Sequence, residues 1–130
     1  MTSVRQVQVT FDCASPRAVA EFWKATLGYV DPPYPPDPDD AWAACQDPTG
    51  VGPRLYFQRV PETKVAKNRV HLDVRVVTGL TGAERLAALE AEASRLEALG
   101  ARRGTLLLAD EENESCQNMY DVEGNEFCLD

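Results

Sequence analysis

The chain has 130 residues, 44% of them hydrophobic, with a formal charge of −8, one histidine and four cysteines. That is one domain's length with enough apolar content for a core, which excludes a disordered chain. No apolar stretch reaches the roughly 20 residues that span a bilayer, the first eight residues lack a signal peptide's apolar run, and an acidic surface repels phosphate backbones. A cytoplasmic protein is expected, with no membrane or nucleic-acid partner.

In chain order, Val4 to Phe11 alternates Val7, Val9 and Phe11 with Gln8 and Thr10, which predicts a strand. Ser15-Pro16 opens a helix in which Val19, Phe22, Trp23 and Leu27 recur at helical spacing, and Gly28 closes it. Phe22 and Trp23 are read as core. Tyr29 to Asp40 holds five prolines and predicts a loop, with a short strand at Tyr29-Val30 at most. Ala41 to Gln46 predicts a strand, Asp47-Pro48-Thr49-Gly50 a turn, and Arg54 to Val60 another strand.

Pro61 to Asn68 reads as a basic connector. Arg69 to Val77 alternates Val70, Leu72, Val74 and Val76 with His71, Asp73 and Arg75, a strand with one polar face. Thr81-Gly82-Ala83-Glu84 matches a capping box, and Leu86, Leu89, Ala93, Leu96 and Leu99 form a helical stripe that ends at Gly100. Ala101 to Leu108, Ser115 to Tyr120 and Asn125 to Leu129 predict three further strands, the last two joined by the turn Asp121 to Gly124. The acidic runs Asp37 to Asp40 and Asp110 to Glu114 read as solvated loops or as an acidic rim for a cationic ligand. None of Cys13, Cys45, Cys116 and Cys128 falls in a C-x-x-C pair, so free thiols are expected.

The halves repeat in order. Strand Val7 to Asp12 matches Val70 to Arg75, helix end Thr26-Leu27-Gly28 matches Ala98-Leu99-Gly100, and turn Asp47-x-x-Gly50 matches Asp121-x-x-Gly124. The spacing, about 63 to about 74 residues, exceeds a solenoid unit and points to two copies of one β-α-β-β-β module. Module one covers about 1–60, the connector 61–68 and module two about 69–130 of one α+β domain.

These residues carry a resemblance. Glu21 to Tyr29 (E-F-W-K-A-T-L-G-Y), Phe57 to Val74 (F-Q-R-V-P-E-T-K-V-A-K-N-R-V-H-L-D-V) and Asp121 to Leu129 (D-V-E-G-N-E-F-C-L) are similar to the glyoxalase/bleomycin-resistance/dioxygenase, or vicinal oxygen chelate, superfamily. The resemblance covers nearly the whole chain. It implies two βαβββ modules forming a curved, incompletely closed mixed sheet, a small ligand on the concave face, often a divalent metal, and often a homodimer.

The resemblance also implies where to look for the site. First-strand ligands of the family fall on Gln8 and His71, a pair that the internal repeat also matches. Last-strand ligands fall on Gln58 or Tyr56 in module one and on Cys128 in module two, with Glu126 two residues earlier on the same face. The set Gln8, Gln58, His71 and Cys128 contains no carboxylate, whereas a hard divalent cation prefers one. No residue is therefore assigned as a metal ligand and no cofactor is assigned, with a divalent metal left open. His71 is the candidate catalytic base; it reads equally as a histidine hydrogen-bonded inside the sheet, to Asp73 or a neighbouring strand, or as a pocket residue that contacts a ligand. Asp73, on the same strand face, would stand about 7 Å from it in a flat strand. Gln8, Trp42, Tyr56, Gln58 and Cys128 are the candidate ligand-binding residues. Tyr34 joins Trp42 and Tyr56 as a pocket-wall candidate, Cys13 and Cys128 read as structural thiols, and Lys64, Lys67 and Arg69 read as solvated connector charges or as binders of a carboxylate or phosphate at the module junction. Two functions fit: a lyase-, isomerase- or dioxygenase-type enzyme on a small oxygenated metabolite, or a non-catalytic protein of the bleomycin-resistance type that sequesters a small molecule. A structural or regulatory partner protein is a third possibility.

Overall fold

A computed structural model describes residues 2–130. The chain divides into two compact units, Met1–Thr63 and Lys64–Asp130. In the first, β1 (Val9–Cys13), α1 (Pro16–Leu27), β2 (Trp42–Cys45) and β3 (Leu55–Arg59) form a three-stranded sheet of order β1-β3-β2 under one helix. In the second, β4 (Leu72–Val74), α2 (Gly82–Ala98), β5 (Arg102–Leu107), β6 (Cys116–Tyr120) and β7 (Glu126–Leu129) form a four-stranded sheet of order β4-β7-β6-β5. Both sheets are mixed and neither closes into a barrel. Each pairs its first and last strands in parallel and its last two antiparallel. The architecture is α+β. Among the described residues, no helix is long and apolar enough to cross a membrane.

The units differ in one strand. The first unit's counterpart of β5 is a single antiparallel bridge, Val30 to Gln46. The prolines that follow Val30 cannot donate to a ladder, so pairing stops there.

Two strands are shorter than the alternation suggests. β1 starts at Val9, and Val7 is 70% exposed. Its partner is preceded by Gly52 and Pro53, so the last rung is the Val9 amide donating to the Arg54 carbonyl at 3.0 Å. β4 keeps only three residues, and Val70 is 79% exposed. Its partner β7 begins at Glu126, directly after a turn. Ahead of it the Asn68 side chain replaces a strand: its oxygen accepts from the Glu126 amide at 2.9 Å, and its nitrogen donates to the Val70 and Glu126 carbonyls.

The cores follow from the buried faces. Phe11 stacks on Phe57 and meets Trp23 at a tilt, with ring centroids 5.2 and 5.3 Å apart, and Val19, Phe22 and Leu55 close around them. In the second unit Leu89, Ala93 and Leu96 of α2 are buried with Val74, Met119, Phe127 and Leu129. Leu99 falls outside this stripe, 41% exposed, while Arg85 falls inside it. Arg85 sits one turn before Leu89 and donates to the Ser115, Val77 and Leu80 carbonyls. The capping box does not form: Thr81 makes no side-chain cap bond. Gly82 takes a positive φ of 57°, which turns the first helical residue away from the geometry such a cap needs.

The repeated turns are built alike. Gly50 and Gly124 adopt φ of 77° and 84°, a region that favours glycine, and each donates its amide to the carbonyl of the aspartate three residues back, at 3.0 Å. All four cysteines are free thiols.

Candidate functional site

In the second unit the parallel register sets Leu72 against Phe127, Asp73 against Cys128 and Val74 against Leu129. Phe127, Leu129 and Val74 point into the core. Strand alternation therefore turns Asp73, Glu126 and Cys128 to the opposite face, together with Asn118 and Cys116 of β6. That face floors a cleft of about 880 Å³ lined by His71, Asp73, Asn118, Cys128 and Asp130, among others.

The side chains on this floor are ordered by one another. His71 Nε2 lies 3.3 Å from Asp73 Oδ1, with the two side chains 44% and 53% exposed. The contact replaces the separation expected of a flat strand: His71 precedes the three-residue ladder and is not held to its pleat. The Cys128 thiol donates to Asn118 Oδ1 at 3.0 Å, and Asn118 Nδ2 donates to Glu126 Oε1 at 3.2 Å. Glu126 is also ion-paired with Lys67, and Asp130 Oδ1 pairs with Arg75 Nε at 2.7 Å. Burial, then the neighbouring Cys116, Asp73, Glu126 and Asp130, pushes the Cys128 thiol up to about 12, so it stays protonated at neutral pH. A protonated thiol is not a nucleophile.

Ligating atoms of His71, Asp73 and Cys128 all lie within 4.8 Å of one another. The set offers one imidazole, one carboxylate and one protonated thiol. Glu126, the acid nearest the family's ligand position, is engaged by Lys67 and Asn118. These donors do not fit a hard cation such as manganese, which prefers carboxylate, carbonyl and water oxygens.

In the first unit the same parallel pairing sets Thr10 against Tyr56 and Asp12 against Gln58. Matched to Asp73 and Cys128, it places Tyr56 at the position of Cys128 and Gln58 at that of Asp130. Three of the candidates, Gln8, Tyr56 and Trp42, gather around Arg54, and Gln58 turns to Asp12. Gln58 donates to Asp12 at 2.9 Å, while Gln8 Oε1 accepts from Arg54 at 2.6 Å. Trp42 and Tyr56 stack, centroids 6.2 Å apart and planes 11° from parallel.

Sequence reasoning missed Arg54, Asn118 and Asn68, whose partners include residues distant in the chain.

Two βαβββ-type units, each with a polar face opposite its core, define the class of protein. The chain matches the glyoxalase-like domain family over residues 8–129 and belongs to it, within the vicinal oxygen chelate superfamily. No curated protein sequence matches it. Solved structures share the fold. A fosfomycin resistance protein, FosX, from Listeria monocytogenes, a mutant complexed with Mn(II) and 1S,2S-dihydroxypropylphosphonic acid, is 11% identical, with a TM-score of 0.69 over 99% of this chain and 90% of that one. A glyoxalase/bleomycin resistance protein/dioxygenase family enzyme from Burkholderia phytofirmans is 14% identical, with a TM-score of 0.69 over 94% of each chain. A hypothetical protein from S. aureus is 12% identical, with a TM-score of 0.63 over 98% and 97%.

Proposed function

We propose that the protein binds a small oxygenated molecule in the second unit's cleft and that His71 moves a proton to or from it, as in lyase- or isomerase-type chemistry. The observation that carries this reading is the half-exposed His71–Asp73 pair, 3.3 Å apart on the cleft floor. A carboxylate on one ring nitrogen orients the imidazole, leaving the other nitrogen for the ligand. The cleft volume falls within the range of about 300–1,000 Å³ that small ligands occupy. Positioned proton transfer of this kind contributes about 10²–10⁴-fold to a rate. No metal takes part in this reading.

The test is proton exchange. Small hydroxyketones in deuterated water are expected to gain deuterium beside the carbonyl in the presence of the protein. His71→Ala abolishes the gain and Asp73→Asn slows it. Equal exchange in His71→Ala defeats the proposal.

A second reading, sequestration without chemistry, has its own observation. Tyr34, Trp42 and Tyr56 cluster in the first unit, and Tyr34 and Trp42 line a cleft of about 480 Å³ walled by Pro32, Pro35 and Pro36. On that reading Trp42→Ala abolishes ligand binding and His71→Ala leaves it intact.

A further inference from the structure

Several carboxylates of the first unit are already engaged by structure. In the loop before β2, Asp37 accepts from the Ala41 amide at 2.8 Å and Asp40 from the Arg17 amide at 2.8 Å. Asp31 and Glu21 both hold Lys24. Asp12 holds Gln58, and Asp47 holds its own turn. None of these carboxylates waits for a cation.

Arg54 is the reverse case. Gln8 Oε1 accepts from its Nη1 at 2.6 Å, the Tyr34 hydroxyl accepts from its Nη2, and its guanidinium carbon stands 5.5 Å from the Tyr56 ring centroid. All three partners are neutral. Among the described residues Arg54 has no ion pair, although the chain holds 21 acidic residues against 13 basic ones. The charge is thus fixed in place, partly buried and not compensated. A guanidinium held this way binds a planar anion well, because its N–H fork is already oriented and part of its desolvation is already incurred.

The surroundings narrow the ligand. Tyr34 contacts Trp42 with centroids 5.9 Å apart, and Trp42 stacks on Tyr56, so Arg54, Tyr34, Trp42 and Tyr56 form a closed ring of contacts. Arg54 and Gln8 border one cleft of about 480 Å³, while Tyr34 and Trp42 border another of the same size. The Arg54–Tyr34 hydrogen bond joins the two borders. A flat ring laid on the aromatic side puts an acidic substituent at the guanidinium.

We propose that this cluster is a binding site for a small planar aromatic anion, with Arg54 and Gln8 at the anionic group and Trp42 and Tyr56 at the ring. The inference deepens the second reading above and is independent of His71.

Three probes of matched size test it: benzoate, benzamide and benzylammonium. Binding is read by fluorescence. Trp23 is 1% exposed, so quenching by a bound ring reports Trp42, and Trp42→Phe is the control. Benzoate is expected to bind about tenfold more tightly than benzamide, the scale of a charge-assisted hydrogen bond, and benzylammonium more weakly than both. Arg54→Gln should reduce benzoate to the level of benzamide in the same variant. Binding of all three probes without preference, or a preference that survives Arg54→Gln, overturns the anion site but not the binding reading. Binding of none of them overturns both.

Discussion

The two units lay the same parallel strand pair against a core and put different chemistry on the other face. Thr10 faces Tyr56 as Asp73 faces Cys128. Around the first pair stand an amide, a guanidinium and aromatic rings; around the second stand an imidazole, carboxylates and a thiol. The shared part is the alternating buried set, Leu55 and Phe57 in one unit and Phe127 and Leu129 in the other, all at or near zero exposure. Burial of that set fixes the register, because a slip by one residue would turn the apolar row to water. The polar rows carry no such constraint and have diverged.

The largest effect should come from the shared part. Phe57→Ala and Phe127→Ala each remove a fully buried ring, at a cost of about 3–5 kcal/mol. Both tryptophans lie in the first unit, so Phe57→Ala is expected to move the urea midpoint seen by fluorescence, and Phe127→Ala the one seen by far-ultraviolet circular dichroism. A loss below about 1 kcal/mol at either site, less than a buried Phe→Ala costs, would break the equivalence of the two cores.

A smaller effect should sharpen the difference between the units. The first unit enters its strand directly on the rung at Val9, whereas the second depends on the Asn68 clip. Asn68→Ala leaves the Glu126 amide without its partner and is expected to cost about 1–3 kcal/mol. Hydrogen exchange at Glu126 should quicken in that variant while Val9 is unchanged. Slow exchange at Glu126 in Asn68→Ala would show that the clip is dispensable.

The sequence was most legible where a residue acts through its neighbours in the chain. The helix opened by Pro16 and closed by Gly28, the Asp-x-x-Gly turns and the period-two rows of β3 and β7 all follow from local rules, and the structure holds them. The buried Phe127 and Leu129 follow from alternation alone. Strand ends were less legible, because Val9 and Leu72 start where a partner strand or the Asn68 side chain allows, not where apolar residues run out. The candidate site was legible only as positions: the structure puts Cys128 on the polar face of β7 and His71 just before β4, while the Asp73 contact, the engagement of Glu126 by Lys67 and the neutral holding of Arg54 depend on side-chain partners 2 to 59 residues away. No periodicity encodes such pairs.

The finest comparison is between the two aspartate turns. Asp47 Oδ1 accepts from the Thr49 hydroxyl and amide, each at 2.7 Å, and Oδ2 accepts from the Gly52 amide at 2.7 Å. Asp121 accepts from the Glu123 and Asn125 amides and from the Asn125 side chain, each at 2.9 Å. The Thr49 hydroxyl, then the Gly52 and Thr49 amides, hold the Asp47 carboxyl below its ordinary value. A carboxyl lowered by folding stabilises the folded state fully above its unfolded value, about 3.9, and loses that contribution as pH falls through the lowered folded value. Asp47→Asn should therefore show a small stability deficit that is constant through neutral pH and narrows only in acid. Thr49→Val, which removes the largest cause, should shift that narrowing to higher pH. The urea midpoint by tryptophan fluorescence, taken stepwise into acid, measures both. A deficit that persists unchanged at the acid end would mean that the side-chain amide fails the turn for a reason other than charge, and that the two turns are held by geometry alone.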